Sequence, residues 1–414
     1  MGCGACGACG AKTAKGAWNA WGATIRPATC SLCRVSVASW PGTVRWDARA
    51  LVELATVGGL TLVLYPLSWF VRQLVPLDEA ELAVGFTAFW AAHVINDPHF
   101  AVTYLLFYED AKGRALGDAF PRALRWRWWL AGVIAPVALL AFGIGAVLTE
   151  SNQALGAMVQ LMFLLVGWHY GKQGFGVMSV LAARRGVRFS PNERRVLLAH
   201  VYVGWLFSWA NPHDPGGLRV QKGVFYDALA HPVWLETVLL VALVASCLAL
   251  VVTLARKVRR EGFVVLGTPL VAFLVSLWAW LIFSGIDPLV RYVTPALHAL
   301  QYLWFVRLLK TNESRERERA LLGSAATRVR MLAFGALLLG VFLFDLLPMS
   351  LDAFVVPTEG WENRALGATP WLAMTFVFVN VHHYAMDAVI WRRDNPATRH
   401  LVVDVEPARA LDDA

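Results

Sequence analysis

Residues 155–182 read LGAMVQLMFLLVGWHYGKQGFGVMSVLA, 28 residues with Lys172 as the one charged side chain. As a helix this stretch would be about 42 Å long, more than the ~30 Å hydrocarbon core of a bilayer. It reads as a membrane-spanning helix with a histidine, His169, in its middle. Comparable apolar runs flank it at 51–71, 82–108, 128–148, 196–210, 233–255, 262–283, 287–309, 331–349 and 367–391, so ten spans are expected.

The composition agrees. Of 414 residues 57% are hydrophobic and 16% charged, and the mean hydropathy is +0.52. A soluble domain is about 25% charged, so a water-soluble enzyme, a disordered chain and a collagen-like chain are excluded. The runs lack the ten-residue alternation of a membrane barrel, and lipid offers no partner to open backbone groups. The expected fold class is therefore all-α, a polytopic transmembrane helix bundle.

The net charge of +8 does not point to nucleic acid, because the basic residues punctuate apolar runs and form no stripe along which a phosphate backbone could lie. Every second connection is basic, as at Arg122 to Arg127, Arg184 to Arg188, Arg256 to Arg260, Arg307 to Arg330, and Arg392 with Arg393. The intervening connections are short or acidic, as at Asp78, Glu79 and Glu81, and only the connection at 211–232 mixes signs. Lysine and arginine mark the cytoplasmic side, which places both termini there and runs the even-numbered spans inward. A multi-pass protein of the inner or plasma membrane is expected.

Three regions follow: a low-complexity leader over 1–45, a helical membrane domain over 46–393 and a polar cytoplasmic tail over 394–414. The leader contains Cys3, Cys6, Cys9, Cys30 and Cys33. Their spacing invites a zinc or iron–sulfur reading, but no helix or strand pattern surrounds them and no further ligand set matches, so a disordered segment is favoured. Cys247 lies inside a span and is expected in the core. The alternating charges from Glu313 to Arg319 read as a solvated helical extension.

Ionisable groups inside lipid cost at least ~2.5–3.5 kcal/mol each on insertion scales and therefore mark function. Six of the ten histidines lie within spans: His93, His99, His169, His298, His382 and His383, all on even-numbered helices. Counting ~1.5 Å per residue from the outer ends puts His93, His169, His298 and His382 in one slab near the midplane, with His99 nearer the cytoplasm. His200, His213, His231 and His400 fall at span ends or in loops and read as surface residues.

Each intramembrane histidine has a polar partner at helical spacing. His93 precedes Asp97 by four, His169 precedes Gln173 by four, His298 precedes Gln301 and Tyr302, and His383 precedes Asp387 by four. A metal-bound imidazole commonly donates its second ring N–H to a carboxylate or amide, so these pairs suit ligands with orienting partners. Gln173, Gln301 and Tyr302 are expected to orient; Lys172 either binds an acidic group or snorkels. Pro98 should kink the second run and could turn His93 and His99, otherwise about 120° apart, toward one site. Adjacent His382 and His383 diverge by about 100°, so one is expected to be the better ligand.

The expected metal ligands are thus His93, His99, His169, His298, His382, His383, Asp97 and Asp387. Such a set suits iron and would also accept zinc, copper, nickel or manganese. A site deep in hydrocarbon is most accessible to lipophilic molecules and to dioxygen, which favours a non-haem iron oxygenase or desaturase acting on an isoprenoid or acyl substrate. Membrane lipid is the expected surroundings, and no protein partner is indicated.

The segment His93-x-x-x-Asp97-x-His99, with Trp168-His169-Tyr170-Gly171, resembles the Brp/Blh membrane family of β-carotene-cleaving dioxygenases. The resemblance implies a helical bundle around a histidine-held iron and a retinal-forming activity. It covers short motifs only: Pro98 intervenes between Asp97 and His99, and the later histidines do not align residue for residue. Two other readings compete. A membrane-bound O-acyltransferase would use one deep histidine and leave five unexplained, and a proton-coupled transporter would use Asp97, His169, Lys172 and Asp387 as a relay.

Overall fold

The computed structural model describes residues 47–210, 217–222, 224–228, 230–318, 324–355 and 365–405. The leader, its five cysteines, His213 and the last nine residues of the tail lie outside the described residues.

The architecture is helical. In chain order the helices are α1 (Ala48–Leu54), α2 (Leu60–Leu74), α3 (Leu77–Ala92), α4 (Asn96–Tyr108), α5 (Ala111–Ala115), α6 (Arg122–Trp129), α7 (Ala135–Leu148), α8 (Asn152–Arg184) and α9 (Pro191–Trp209). They continue with α10 (Val233–Glu261), α11 (Phe263–Leu274), α12 (Pro288–Glu318), α13 (Ala325–Val341), α14 (Leu347–Val355) and α15 (Pro370–Ile390). A hairpin of β1 (Gly217–Gln221) and β2 (Val224–Ala228), antiparallel with Gly217 opposite Ala228, interrupts the series. The mixed-sign connection at 211–232 gave no sign of it. Val224 packs with Leu155 and Trp371, and Tyr226 with Met158 and Val377, so β2 covers the ends of α8 and α15.

Among the described residues, six helical segments are long and apolar enough to cross a membrane: Ala48–Leu74, Arg122–Leu148, Asn152–Arg184, Val233–Glu261, Val265–Ile282 and Ala325–Val355. Val238, Val241, Leu248 and Val252 on α10 and Leu82, Phe86 and Trp90 on α3 face outward, an apolar belt suited to lipid. The remaining four expected runs differ for local reasons. The run 82–108 divides into α3 and α4, α9 begins with a charged turn, and α12 and α15 are diluted by His, Gln, Asn, Asp and Thr. All four carry histidines, and polar residues of this kind lower hydropathy.

The first span bends at a π-helical segment, Ala55–Gly59, where Gly58 has φ +132°. The positive φ needs glycine, and the bend frees the Val57 carbonyl, which accepts a 2.6 Å hydrogen bond from Gln301 Nε2 on α12. The second run breaks at residues 93–95, upstream of Pro98. Pro98 then occupies the first turn of α4, where its missing N–H would have had no helical partner. Residues 93 and 99 therefore leave on separate helices.

Local signals fix other ends. Ser190 and Glu193 form a reciprocal capping box on α9, and Gly262, at φ +89°, ends α10. The charged extension of α12 is helical as expected, yet one face is docked: Asn312 bonds the His400 carbonyl and the Val405 N–H, and Arg315 bonds the Val405 carbonyl. His400 and Leu401 are buried there. His400 is thus not a surface residue, and neither is His200, which is fully buried with Nδ1 3.0 Å from Ser246 Oγ. Cys247 is half-buried on α10.

Candidate metal centre

Four helices bring His99 (α4), His169 (α8), His298 (α12) and His383 (α15) together, all at most 4% exposed. His169 is the pivot. Its Nε2 stands 3.0 Å from His298 Nε2 and 3.4 Å from His383 Nε2. The His99 ring lies 4.5 Å from His383 and 5.1 Å from His298, centroid to centroid. Asp387, one turn after His383, places Oδ2 3.4 Å from His383 Nε2 and 3.6 Å from His169 Nδ1.

A neutral imidazole nitrogen carries either a proton or a lone pair, so one hydrogen bond can satisfy one of the two contacts at His169 Nε2 and leaves the other unserved. Both ring nitrogens of His99, Nδ1 of His298, Nδ1 of His383 and Oδ2 of Asp387 are buried without a hydrogen-bond partner among the described residues. Each such orphan costs about 1–3 kcal/mol. Imidazole nitrogens about 2.1 Å from a shared ion stand ~3.0 Å apart at a right angle and ~3.4 Å apart at the tetrahedral angle. The two separations at His169 match those values. Ligand atoms of His99, His169 and His298 lie within 4.8 Å of one another, as do those of His169, His383 and Asp387.

A supporting layer orients the set. Tyr302 donates to Asp387 Oδ1 at 2.8 Å and Trp391 Nε1 donates to the same oxygen at 3.2 Å, which leaves Oδ2 aimed at the histidines. The Tyr302 hydroxyl also lies 2.6 Å from Thr103 Oγ1. Tyr170 stacks on the His298 ring at 4.1 Å, and Tyr384 lies against His169 at 4.8 Å.

No family model matches the chain, and no curated protein or solved structure matches it. The chemistry is therefore read from the geometry.

The remaining expected site residues are placed elsewhere. His382 is already satisfied, with Nδ1 3.0 Å from Tyr104 Oη and Nε2 3.0 Å from the Ala131 carbonyl, so His383 is the inward member of the pair. His99 belongs to the cluster even though its depth by residue count put it apart, because the break at 93–95 resets the helix that carries it. His93, at that break, instead forms a second group: its Nδ1 is 3.2 Å from Oδ2 of both Asp97 and Asp345. These three offer ligand atoms within 4.8 Å of one another. Asp345 escaped the sequence reading, although a lone acid in the run GVFLFDLLPM was a usable signal.

Gln173 and Gln301 orient backbone and helices and leave the rings untouched. Gln173 Nε2 bonds the His298 carbonyl and Gln301 Oε1, while Gln301 Nε2 reaches Val57 and Ser276. Lys172 lies over the rings of Phe175 and Tyr202, each 5.8 Å away, in the manner of a snorkelling side chain.

Proposed function

We propose that this protein is a membrane-embedded non-haem iron enzyme, an oxygenase or desaturase, whose metal is held by His99, His169, His298, His383 and Asp387. The observation that carries the reading is the convergence of His298 Nε2 and His383 Nε2 on His169 Nε2 at 3.0 and 3.4 Å, with Asp387 Oδ2 buried and unpartnered beside them. Iron held by these residues would supply the dioxygen chemistry. The chain's own contribution is to fix the imidazoles from four helices, to hold Asp387 by Tyr302 and Trp391, and to exclude bulk water with Phe100, Tyr170 and Tyr384.

The bilayer setting supplies the substrate class, an isoprenoid or acyl chain. In this reading all ten apolar runs cross the membrane with both termini cytoplasmic, α3 and α4 making one broken span between them. The motif resemblance to the Brp/Blh family supports the class through His99 and His169, with His93 held away from the centre. A proton relay is less well supported: of Asp97, His169, Lys172 and Asp387, the His169 and Asp387 side chains are the one pair within 4 Å among the described residues.

Elemental assay of protein purified from iron-replete cells tests the proposal. About one iron per chain is expected, together with loss of thermal stability on chelation. Protein that stays folded and holds no metal after every gentle preparation would overturn it.

A further inference from the structure

A cavity of about 660 Å³ opens between α4, α12 and α13. That size falls in the range of small-molecule sites, ~300–1,000 Å³. Its lining is segregated by chemistry. Leu105, Leu332 and Leu339 form an apolar part, and Glu109, Lys310, Glu313, Arg317 and Arg328 form a charged one. From Arg328 to Leu339 the wall follows about 16 Å of α13.

The charges are not equivalent. Lys310 pairs with Glu109 and Glu313, and Arg317 pairs with Glu313 and Glu109, so these four side chains neutralise one another. Arg328 has no ion-pair or hydrogen-bond partner among the described residues, although it lines the cavity and is only half-exposed. At the inner wall Tyr104 faces the cavity while its hydroxyl contacts His382, next in sequence to His383.

We propose that this cavity binds a single-chain amphiphile with an anionic head, the head paired with Arg328 and the chain lying between α4 and α13 along Leu105, Leu332 and Leu339. A guanidinium left unpaired beside a balanced charge cluster selects an anion, and a carboxylate or phosphate head can take it bidentately. The leucine wall selects an acyl or prenyl tail. As a statement about substrate it rests on the oxygenase reading; as a statement about binding it does not.

The test measures binding of palmitate, lysophosphatidate and hexadecanol to the purified full chain by native mass spectrometry or displacement of a fluorescent fatty acid. Iron content is assayed in the same samples. Expected is binding of at least one anionic probe, about tenfold or more weakened in Arg328→Ala with unchanged iron, and weaker binding of hexadecanol. Preference between palmitate and lysophosphatidate assigns the head as carboxylate or phosphate. Leu339→Trp, which fills the apolar wall, should weaken whichever anion binds, in protein that melts as the parent does. Equal binding by Arg328→Ala, equal binding of hexadecanol, or no binding of any probe by well-folded protein would each overturn the proposal. Anion binding to protein without iron would sustain it while removing the oxygenase reading, so the two failures are separable.

Discussion

The Nε2 atoms of His169 and His298 face each other at 3.0 Å across two helices, although the residues are 129 apart in sequence. Two bases are brought this close in a buried site when a proton or a cation lies between them. With His383 approaching the same atom at 3.4 Å, one shared proton cannot serve both contacts.

Adjacent residues separate the two roles a histidine can have here. His383→Ala should abolish stoichiometric iron, whereas His382→Ala should keep it and lose about 1–3 kcal/mol of stability through the orphaned Tyr104 and Ala131 groups. Metal analysis paired with thermal melts of both variants decides; equal iron in the two would refute the ligand assignment.

Asp387 can be tested without changing its shape. In Asp387→Asn the side chain keeps its size, while the oxygen aimed at the histidines loses its charge. Iron affinity should fall about 10- to 100-fold, and Tyr302→Phe, which removes one orienting hydrogen bond, should cost less. Competition with a graded chelator reads both.

A close approach between α13 and α4 underlies the wall of both the cavity and the His93 group. A Cβ on Gly340 would lie 2.9 Å from the Asp97 carbonyl carbon, a backbone atom that cannot swing away. Gly340→Ala should destabilise by about 1–3 kcal/mol, whereas Gly145→Ala, with open space around it, should be neutral or gain up to about 1 kcal/mol. Denaturation in one detergent compares them.

Outside the bilayer, Glu193 gives a pH signature. Burial works against its charge, but the Ser190 N–H, Lys257 and Arg260 prevail and hold its carboxyl below the ordinary 4.5. A depressed folded value means stability present above the unfolded value and lost as pH falls through the folded one. Glu193→Gln should therefore melt lower at neutral pH, by about 1 kcal/mol on the scale of a lost helix cap. The gap should close as pH drops below about 4. A gap that persists at low pH would show that shape, and not charge, is what the residue supplies.

The helical bundle, and the presence of histidines inside it, were legible in the sequence because apolar runs and intramembrane histidines are both strong signals. His169, His298 and His383 stood out by lying inside apolar runs, and Asp387 by its helical spacing from His383. The choice between His93 and His99 could not be read in this way, since it depends on where the chain breaks, and the break lies three to five residues before the proline that suggests it. His382 and His383 diverge equally from the helix axis, so their assignment needed the positions of Tyr104 and Ala131. The hairpin at 217–228 was illegible for a different reason: its inward residues, Val224 and Tyr226, pack on helices far away in sequence, and five-residue strands carry little periodicity of their own.

The donors of the centre are spread from residue 99 to residue 387, and two of the five side chains belong to the final helix. A nascent chain whose ribosome has reached residue 369 presents three imidazoles and no carboxylate, an incomplete cage. An ion gripped by all five side chains would therefore have to wait for the one helix that carries two of them.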